Sequence, residues 1–145
     1  MSGPLGGLKI IEMEAVGPVP WAGMMLADMG AQVLRVDRPI VADMGLNRDE
    51  RFELGGRGKQ TVRIDAKAAN GATEILRLIG DADVLLEGLR PGVMERLGLG
   101  PSECFDRNPA LIYGRMTGWG QTGPRSSIAG HDINYIATTG FLHAI

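Results

Sequence analysis

Short apolar runs recur along the chain and are separated by glycine, proline and polar residues. Runs of this length, bounded by turn residues, are typical of strands buried on both faces of a parallel sheet. They predict five strands, at residues 8–13, 32–36, 61–64, 82–86 and 111–116.

Helical segments fall between these runs. The first is predicted at residues 21–29, after Pro18 and Pro20, because proline is accepted in the first turn of a helix. A polar stretch at 40–59 predicts a mobile loop. Further helices are predicted at residues 68–79, 92–97, 102–107 and 132–144.

Alternation of strands and helices predicts an α/β fold, a Rossmann-like parallel sheet flanked by helices. Ligands of such sheets bind outside the carboxyl ends of the strands. The residues that follow strands are therefore the candidates for a site. They are residues 14–20, 37–39, 87–91 and 117–131.

Composition narrows the function classes. The 145 residues carry a formal net charge of −2, so no overall basic field indicates nucleic acid or an anionic membrane. The single cysteine, Cys104, allows no internal disulfide and leads us to expect a cytoplasmic protein. Glu103 and Asp106 beside it should raise its pKa, so we expect a passive thiol. No run is long enough for a membrane span, and the GxGxxG and P-loop patterns of nicotinamide and ATP sites are absent.

Several cations lie at predicted strand ends. Arg38 follows the second strand, and Arg90 lies in a tight turn shaped by Gly88 and Pro91. Separate cations of this kind suit a ligand with several phosphates. Each could equally be a solvated surface residue paired with an acid. Nearby in the sequence are Arg57, Lys59, Lys67 and Arg96.

His131 is the candidate acid–base group, because the imidazole pKa lies close to neutral pH. It follows Gly130 at the predicted start of a helix, where backbone N–H groups can hold an oxyanion and disfavour imidazolium. A single histidine can also be a structural residue, as we expect for His143. Trp119 and Tyr135 could line an apolar pocket, although burial alone would explain them.

Four segments together resemble a known family. They are MSGPLGGLKIIEM, VGPVPWAGMMLADMGAQVLRVDRP, ADVLLEGLRPGVMERLGLG and LIYGRMTGWGQTGPRSSIAGHDINYIATTG. Their order and spacing are similar to the N-terminal part of the 2-methylacyl-CoA racemases, a branch of the type III CoA-transferase family. GHDINY after GWGQTGP is the most specific match.

The resemblance implies that residues 1–145 are the N-terminal part of a CoA-binding large domain, without the small domain and the C-terminal return to the large domain. It implies acyl-CoA thioester substrates in lipid and branched fatty acid metabolism, no metal or redox cofactor, and interlocked homodimers. Because the domain would be incomplete, we also expect exposed apolar surface. The catalytic histidine of the family falls on His131. The CoA-binding positions fall on Arg38, Ile64, Asp65, Ala66, Lys67, Gly88, Leu89, Arg90, Arg96, Gly130, Asp132, Ile133, Asn134 and Tyr135.

The same resemblance leaves three functions open. Racemisation needs a second acid–base group, which in the family is an aspartate beyond Ile145; Asp132 is a poor substitute, because neighbouring helical side chains diverge by about 100°. CoA transfer between carboxylic acids would use a carboxylate nucleophile and would not require His131. A non-catalytic acyl-CoA-binding module is the third possibility. The family's basic loop, commonly Arg-Asn-Lys-Arg, reads Arg57-Gly58-Lys59-Gln60 here, which weakens one expected anion contact.

Overall fold

A computed structural model describes residues 3–40 and 52–145. Five strands form one sheet in the order β3-β2-β1-β4-β5, and every neighbouring pair is parallel. This is the strand order of a doubly wound, Rossmann-type sheet, and it confirms the predicted α/β fold. The strands are β1 (Lys9–Met13), β2 (Gln32–Asp37), β3 (Lys59–Arg63), β4 (Val84–Glu87) and β5 (Ile112–Arg115).

Helices cover both faces of this sheet. α1 (Pro18–Asp28) packs on one face through Val19, over Ile10, Val33 and Leu86. The opposite face carries the larger core, in which Ile75, Ile79, Met94 and Cys104 surround Leu85. Those side chains come from α2 (Gly71–Ile79), α3 (Val93–Arg96) and α4 (Pro101–Arg107).

Two local elements depart from the sequence prediction. The helix predicted at 132–144 is two helices, α5 (Asp132–Thr138) and α6 (Phe141–Ala144). The break comes at Gly140, whose φ of 79° is left-handed and ends a helix. The helix predicted from residue 68 begins only at Gly71, because residues 65–71 form backbone turns.

The loop predicted at 40–59 falls mostly outside the described residues, which resume at Phe52. The part that is described contains a short 3-10 helix (Leu54–Gly56) and the first residue of β3. Residues 54–56 contact α1.

Several large apolar side chains are exposed, as expected from the sequence. On α1 these are Trp21 and Met25, and on the edge strand β5 the side chain of Ile112 is exposed. Ile133 and Phe141 are exposed on the two terminal helices. None of the helices in residues 3–40 and 52–145 is long and apolar enough to cross a membrane.

Candidate functional site

A cleft lies where the strand order of the sheet reverses. From β1 the chain moves outward to β2, whereas from β4 it moves in the opposite direction to β5, so the segments after β1 and β4 diverge. Such a point leaves a crevice at the carboxyl edge of a parallel sheet. Two cavities open there, and four residues belong to both of them: Val16, Gly88, Leu89 and Arg90.

The first cavity has a volume of about 550 Å³ and contains His131 in its wall. Its remaining lining comes from the segments after β1, β4 and β5. These residues are Val16, Gly17, Pro18, Gly88, Leu89, Arg90, Pro91, Met116, Thr117, Gly118, Ser126, Ile128, Ala129, Gly130 and Tyr135.

The second cavity has a volume of about 570 Å³ and is the more strongly charged of the two. Arg38, Lys67 and Arg90 line it together with Glu14, Asp37 and Asp65. It shares Val16 and the turn at residues 88–90 with the first cavity, so the two cavities adjoin along this turn. One arm of the cleft reaches a histidine and the other reaches the cations.

His131 lies at the junction between the loop 117–130 and α5. Its backbone N–H donates to the side-chain Oδ1 of Asn134 at 3.1 Å, and its carbonyl oxygen accepts from the Asn134 N–H at 2.9 Å. These reciprocal bonds fix the backbone of His131 and leave its side chain exposed in the cavity wall. Asn134 was predicted from the sequence to contact the ligand. In the structure its side-chain oxygen accepts the hydrogen bond from the His131 N–H.

Tyr135 closes the loop that precedes His131. Its ring packs against Trp119 with 4.9 Å between the ring centroids, and the guanidinium of Arg125 lies 5.3 Å from the Trp119 ring. The Tyr135 hydroxyl lies so close to Gly118 and Gly130 that a β-carbon at either position would collide with it. A side chain at either position would have to displace the Tyr135 ring, which explains two of the glycines in the GWGQTGPRSSIAGH segment.

Arg38 is held by a carboxylate. Its Nε and Nη2 donate to the two oxygens of Glu14 at 3.0 and 2.8 Å, and its own backbone N–H donates to Glu14 Oε2 at 2.7 Å. These hydrogen bonds lower the pKa of Glu14 below its ordinary value. The Arg38 side chain is still 60% exposed, and the fork leaves Nη1 without a partner in Glu14. A guanidinium can use that second edge for another oxyanion.

Arg90 and Lys67 are more available than Arg38. Within residues 3–40 and 52–145, neither side chain has a carboxylate partner, and both line the second cavity. The side chain of Asp65 shapes the loop that carries Lys67, because its Oδ1 accepts a hydrogen bond from the Lys67 N–H at 2.9 Å.

Two other cations, Lys59 and Arg57, form ion pairs outside the two cavities. Lys59 donates to both oxygens of Glu12 at 2.8 and 2.6 Å and to the Pro20 carbonyl oxygen at 2.8 Å, and both charged side chains are almost completely buried. Arg57 forms an ion pair with Asp28 on α1 at 2.5 Å. Neither Arg57 nor Lys59 lines either cavity. Both cations thus lie outside the two linings, and the predicted weakening of one anion contact stays a prediction.

Most of the residues singled out in the sequence lie around the cleft. Arg38, Ile64, Asp65, Ala66 and Lys67 line the second cavity, Gly130, His131 and Tyr135 line the first, and Gly88, Leu89 and Arg90 line both. The structure does not place Arg96, Asp132, Ile133 or Asn134 in either lining. Their predicted ligand contacts remain predictions.

Several lining residues were missed as individual candidates, among them Val16, Met116 and Glu14. Val16 and Met116 supply apolar wall, and Glu14 holds Arg38. All three directly follow a strand or lie within three residues of its end, so position after a strand was the signal that could have found them.

Cys104 lines neither cavity. Burial raises the pKa of the Cys104 thiol to about 11, with a smaller contribution from Glu103, in line with the expected passive thiol. No group of three or more His, Cys, Asp or Glu side chains suited to a metal ion occurs in the described part of the chain.

Known proteins are similar to this chain over almost its whole length. An α-methylacyl-CoA racemase of Mus musculus is 45% identical over 141 residues, which cover 97% of this chain and 35% of the racemase. A succinate–glutarate CoA-transferase of Agrobacterium fabrum is 35% identical over 153 residues, which cover 96% of this chain and 38% of the transferase. The chain thus spans little more than a third of the length of these relatives.

The fold agrees as well. The crystal structure of the protein Rv3272 from Mycobacterium tuberculosis superposes with a TM-score of 0.88 and 35% identity, over 100% of this chain and 42% of that protein. The model of the CoA-transferase family III matches residues 5–145. A match of this extent shows that the chain belongs to CoA-transferase family III.

Proposed function

We propose that the chain is the CoA-binding part of a 2-methylacyl-CoA racemase, which interconverts the (R) and (S) thioesters. The observation that carries this proposal is that the two cavities share Val16 and the turn at residues 88–90. One arm offers cations for the phosphates of CoA, and the other brings a thioester to His131. Similarity to the mouse α-methylacyl-CoA racemase supports the same reaction.

In the proposed chemistry His131 acts as a base. The imidazole takes the α-proton of the thioester, and the electron pair of the broken C–H bond moves into the carbonyl to give an enolate. Return of a proton to the opposite face of the α-carbon completes racemisation and regenerates the thioester. That second step needs an acid on the other face, a role for which Asp132 is poorly placed because it lies outside both cavities.

Hydrogen–deuterium exchange at the α-carbon tests the role of His131. A 2-methylacyl-CoA is incubated with the protein in D₂O, and deuterium at C2 is followed by mass spectrometry for wild type, His131→Ala and His143→Ala. His143 is the matched control, because it is an exposed histidine in α6 that lines neither cavity. We expect exchange in wild type and His143→Ala and its loss in His131→Ala. Equal exchange in all three proteins would contradict the role of His131.

CoA transfer is the second candidate, because the Agrobacterium transferase matches nearly the same segment. In a transferase a carboxylate attacks the thioester carbonyl, and an anhydride forms as the CoA thiolate leaves. When that carboxylate is the acceptor acid, the thiolate then attacks the acceptor's carbonyl in the anhydride, forms the new thioester and releases the donor as a free carboxylate. Incubation with an acyl-CoA and free succinate separates the two reactions. A new succinyl thioester without C2 exchange would favour transfer. CoA binding without either reaction would favour a binding module.

A further inference from the structure

Glu87 is a buried carboxylate that lines neither cavity. It is the last residue of β4 and is 1% exposed, yet it lies directly before the turn at residues 88–90 that lines both of them. A buried carboxylate is costly unless its oxygens are hydrogen-bonded to suitable partners. The partners of Glu87 therefore show what its burial achieves.

One oxygen of Glu87 shapes the turn itself. The Leu89 N–H donates to Glu87 Oε2 at 2.7 Å, so the carboxylate folds back over the turn and satisfies its central amide. On the other side of the turn, a β-carbon at Gly88 would lie 2.8 Å from Val19 Cγ2 of α1. The turn is thus held between a buried carboxylate and the start of α1.

The other oxygen of Glu87 is held from the neighbouring strand. Arg115 is the register partner of Glu87 across β4 and β5, and its Nε donates to Glu87 Oε1 at 2.9 Å. The same guanidinium donates through Nη2 to Glu95 Oε1 of α3 at 2.7 Å, which lowers the pKa of Glu95. Arg115 also lies 5.5 Å from the centroid of the Tyr113 ring.

One guanidinium consequently fixes both ends of the segment that contains the turn. Glu87 lies before the turn and Glu95 lies after it, so Arg115 sets the distance between β4 and α3 while Glu87 sets the turn conformation. Arginine suits this task because its fork makes two hydrogen bonds in fixed directions, whereas lysine offers a single point charge.

We propose that Glu87 and Arg115 are positioning residues that hold the Gly88–Leu89–Arg90 turn in the conformation that binds the acyl-CoA. The inference rests on the proposed function for the nature of the ligand. Neither residue touches the ligand in this role; both act through the turn. Their replacement should loosen residues 88–90 and weaken CoA binding before it affects the rest of the sheet.

Amide exchange and CoA binding together test this role. Arg115→Lys keeps the charge but cannot make both hydrogen bonds in the same geometry. We expect the amide of Leu89 to exchange faster in this variant, the amides of β4 to remain protected, and the Kd for CoA by titration calorimetry to rise about tenfold. Arg57→Lys is the matched control, since it alters an ion pair away from the cleft, and it should change neither quantity.

A second variant guards against loss of folding. Glu95→Gln removes only the more exposed of the two carboxylates, and it should produce the same pattern with a smaller rise in Kd. Unchanged Leu89 exchange in Arg115→Lys would overturn the inference, as would weaker CoA binding without faster exchange at residues 88–90. If wild type fails to bind CoA, the proposed function fails, while the exchange data still decide whether Arg115 holds the turn.

Discussion

Two ion-paired regions of the same sheet use charge in opposite ways. Under α1, Lys59 and Glu12 are buried together, and all three donors of the lysine are occupied. At the carboxyl edge, the guanidinium of Arg38 is more than half exposed and keeps one edge open beside a cavity. A cation of this fold is therefore a candidate for ligand binding only where some of its donors are not used by the protein itself.

The largest expected effect comes from breaking the buried pair. Lys59→Met leaves Glu12 buried without its partner, so the free energy of unfolding should fall by about 3–5 kcal/mol. Urea unfolding measures this loss. The double replacement Glu12→Leu with Lys59→Met should recover most of it, because a well-packed apolar pair avoids the desolvation cost. A loss under about 1 kcal/mol in Lys59→Met would contradict the difference between the two regions, because an exposed ion pair contributes about that much stability.

The close packing around Lys59 and Glu12 gives a second test, in which the sign of the change in stability decides. In a helix, glycine-to-alanine substitution normally stabilises by up to about 1 kcal/mol. At Gly23 of α1, however, the new β-carbon would collide with Glu12 Oε2. We therefore expect Gly23→Ala to destabilise by about 1–3 kcal/mol. Gly56→Ala is the control, since its β-carbon would meet only Arg35 Nη1 at 3.9 Å. Greater stability in Gly23→Ala would contradict the tight packing.

The sequence predicted the sheet better than it predicted the use of the cations. Apolar runs specify buried strands directly. Because the site was sought in the residues that follow strands, the segments that contain residues 88–90 and His131 could be predicted to lie at the cleft. Lys59 could not be assigned in the same way, because its partner Glu12 lies 47 residues away in the chain. Its burial also depends on the absence of a side chain at Gly23, and neither contact leaves a local pattern in the sequence.

Replacement of an exposed cation should weaken ligand binding rather than destabilise the fold. Arg38→Ala should weaken CoA binding about tenfold by titration calorimetry, which is the range for one charged hydrogen bond, and should weaken 3′-dephospho-CoA less. Stability should change little. Arg57→Ala, which removes a cation outside the cleft, is the matched control for overall charge. Equal weakening of both ligands by Arg38→Ala would argue against contact with the phosphate.

The smallest expected effect is a difference in the pH range over which the stability of each region changes. Hydrogen bonds from Arg38 lower the pKa of Glu14 from 4.5, so the stability contributed by this pair is present above pH 4.5 and is lost as the pH falls through the lowered value. Because Arg38 is largely exposed, Glu14→Gln should cost about 1 kcal/mol or less at neutral pH. We expect that cost to disappear only below pH 4.5.

Glu12 should titrate on the other side of the same reference value. Burial raises its pKa above 4.5 even though Lys59 opposes the shift, and removal of Lys59 would raise it further. A carboxyl with a raised folded pKa destabilises the fold when ionised, so the deficit of Lys59→Met should narrow as the pH falls from 7 toward 4.5. Urea unfolding across this pH range should show the stability change of Lys59→Met above pH 4.5 and that of Glu14→Gln below it. If both changes occurred over the same pH range, the two carboxylates would experience similar environments.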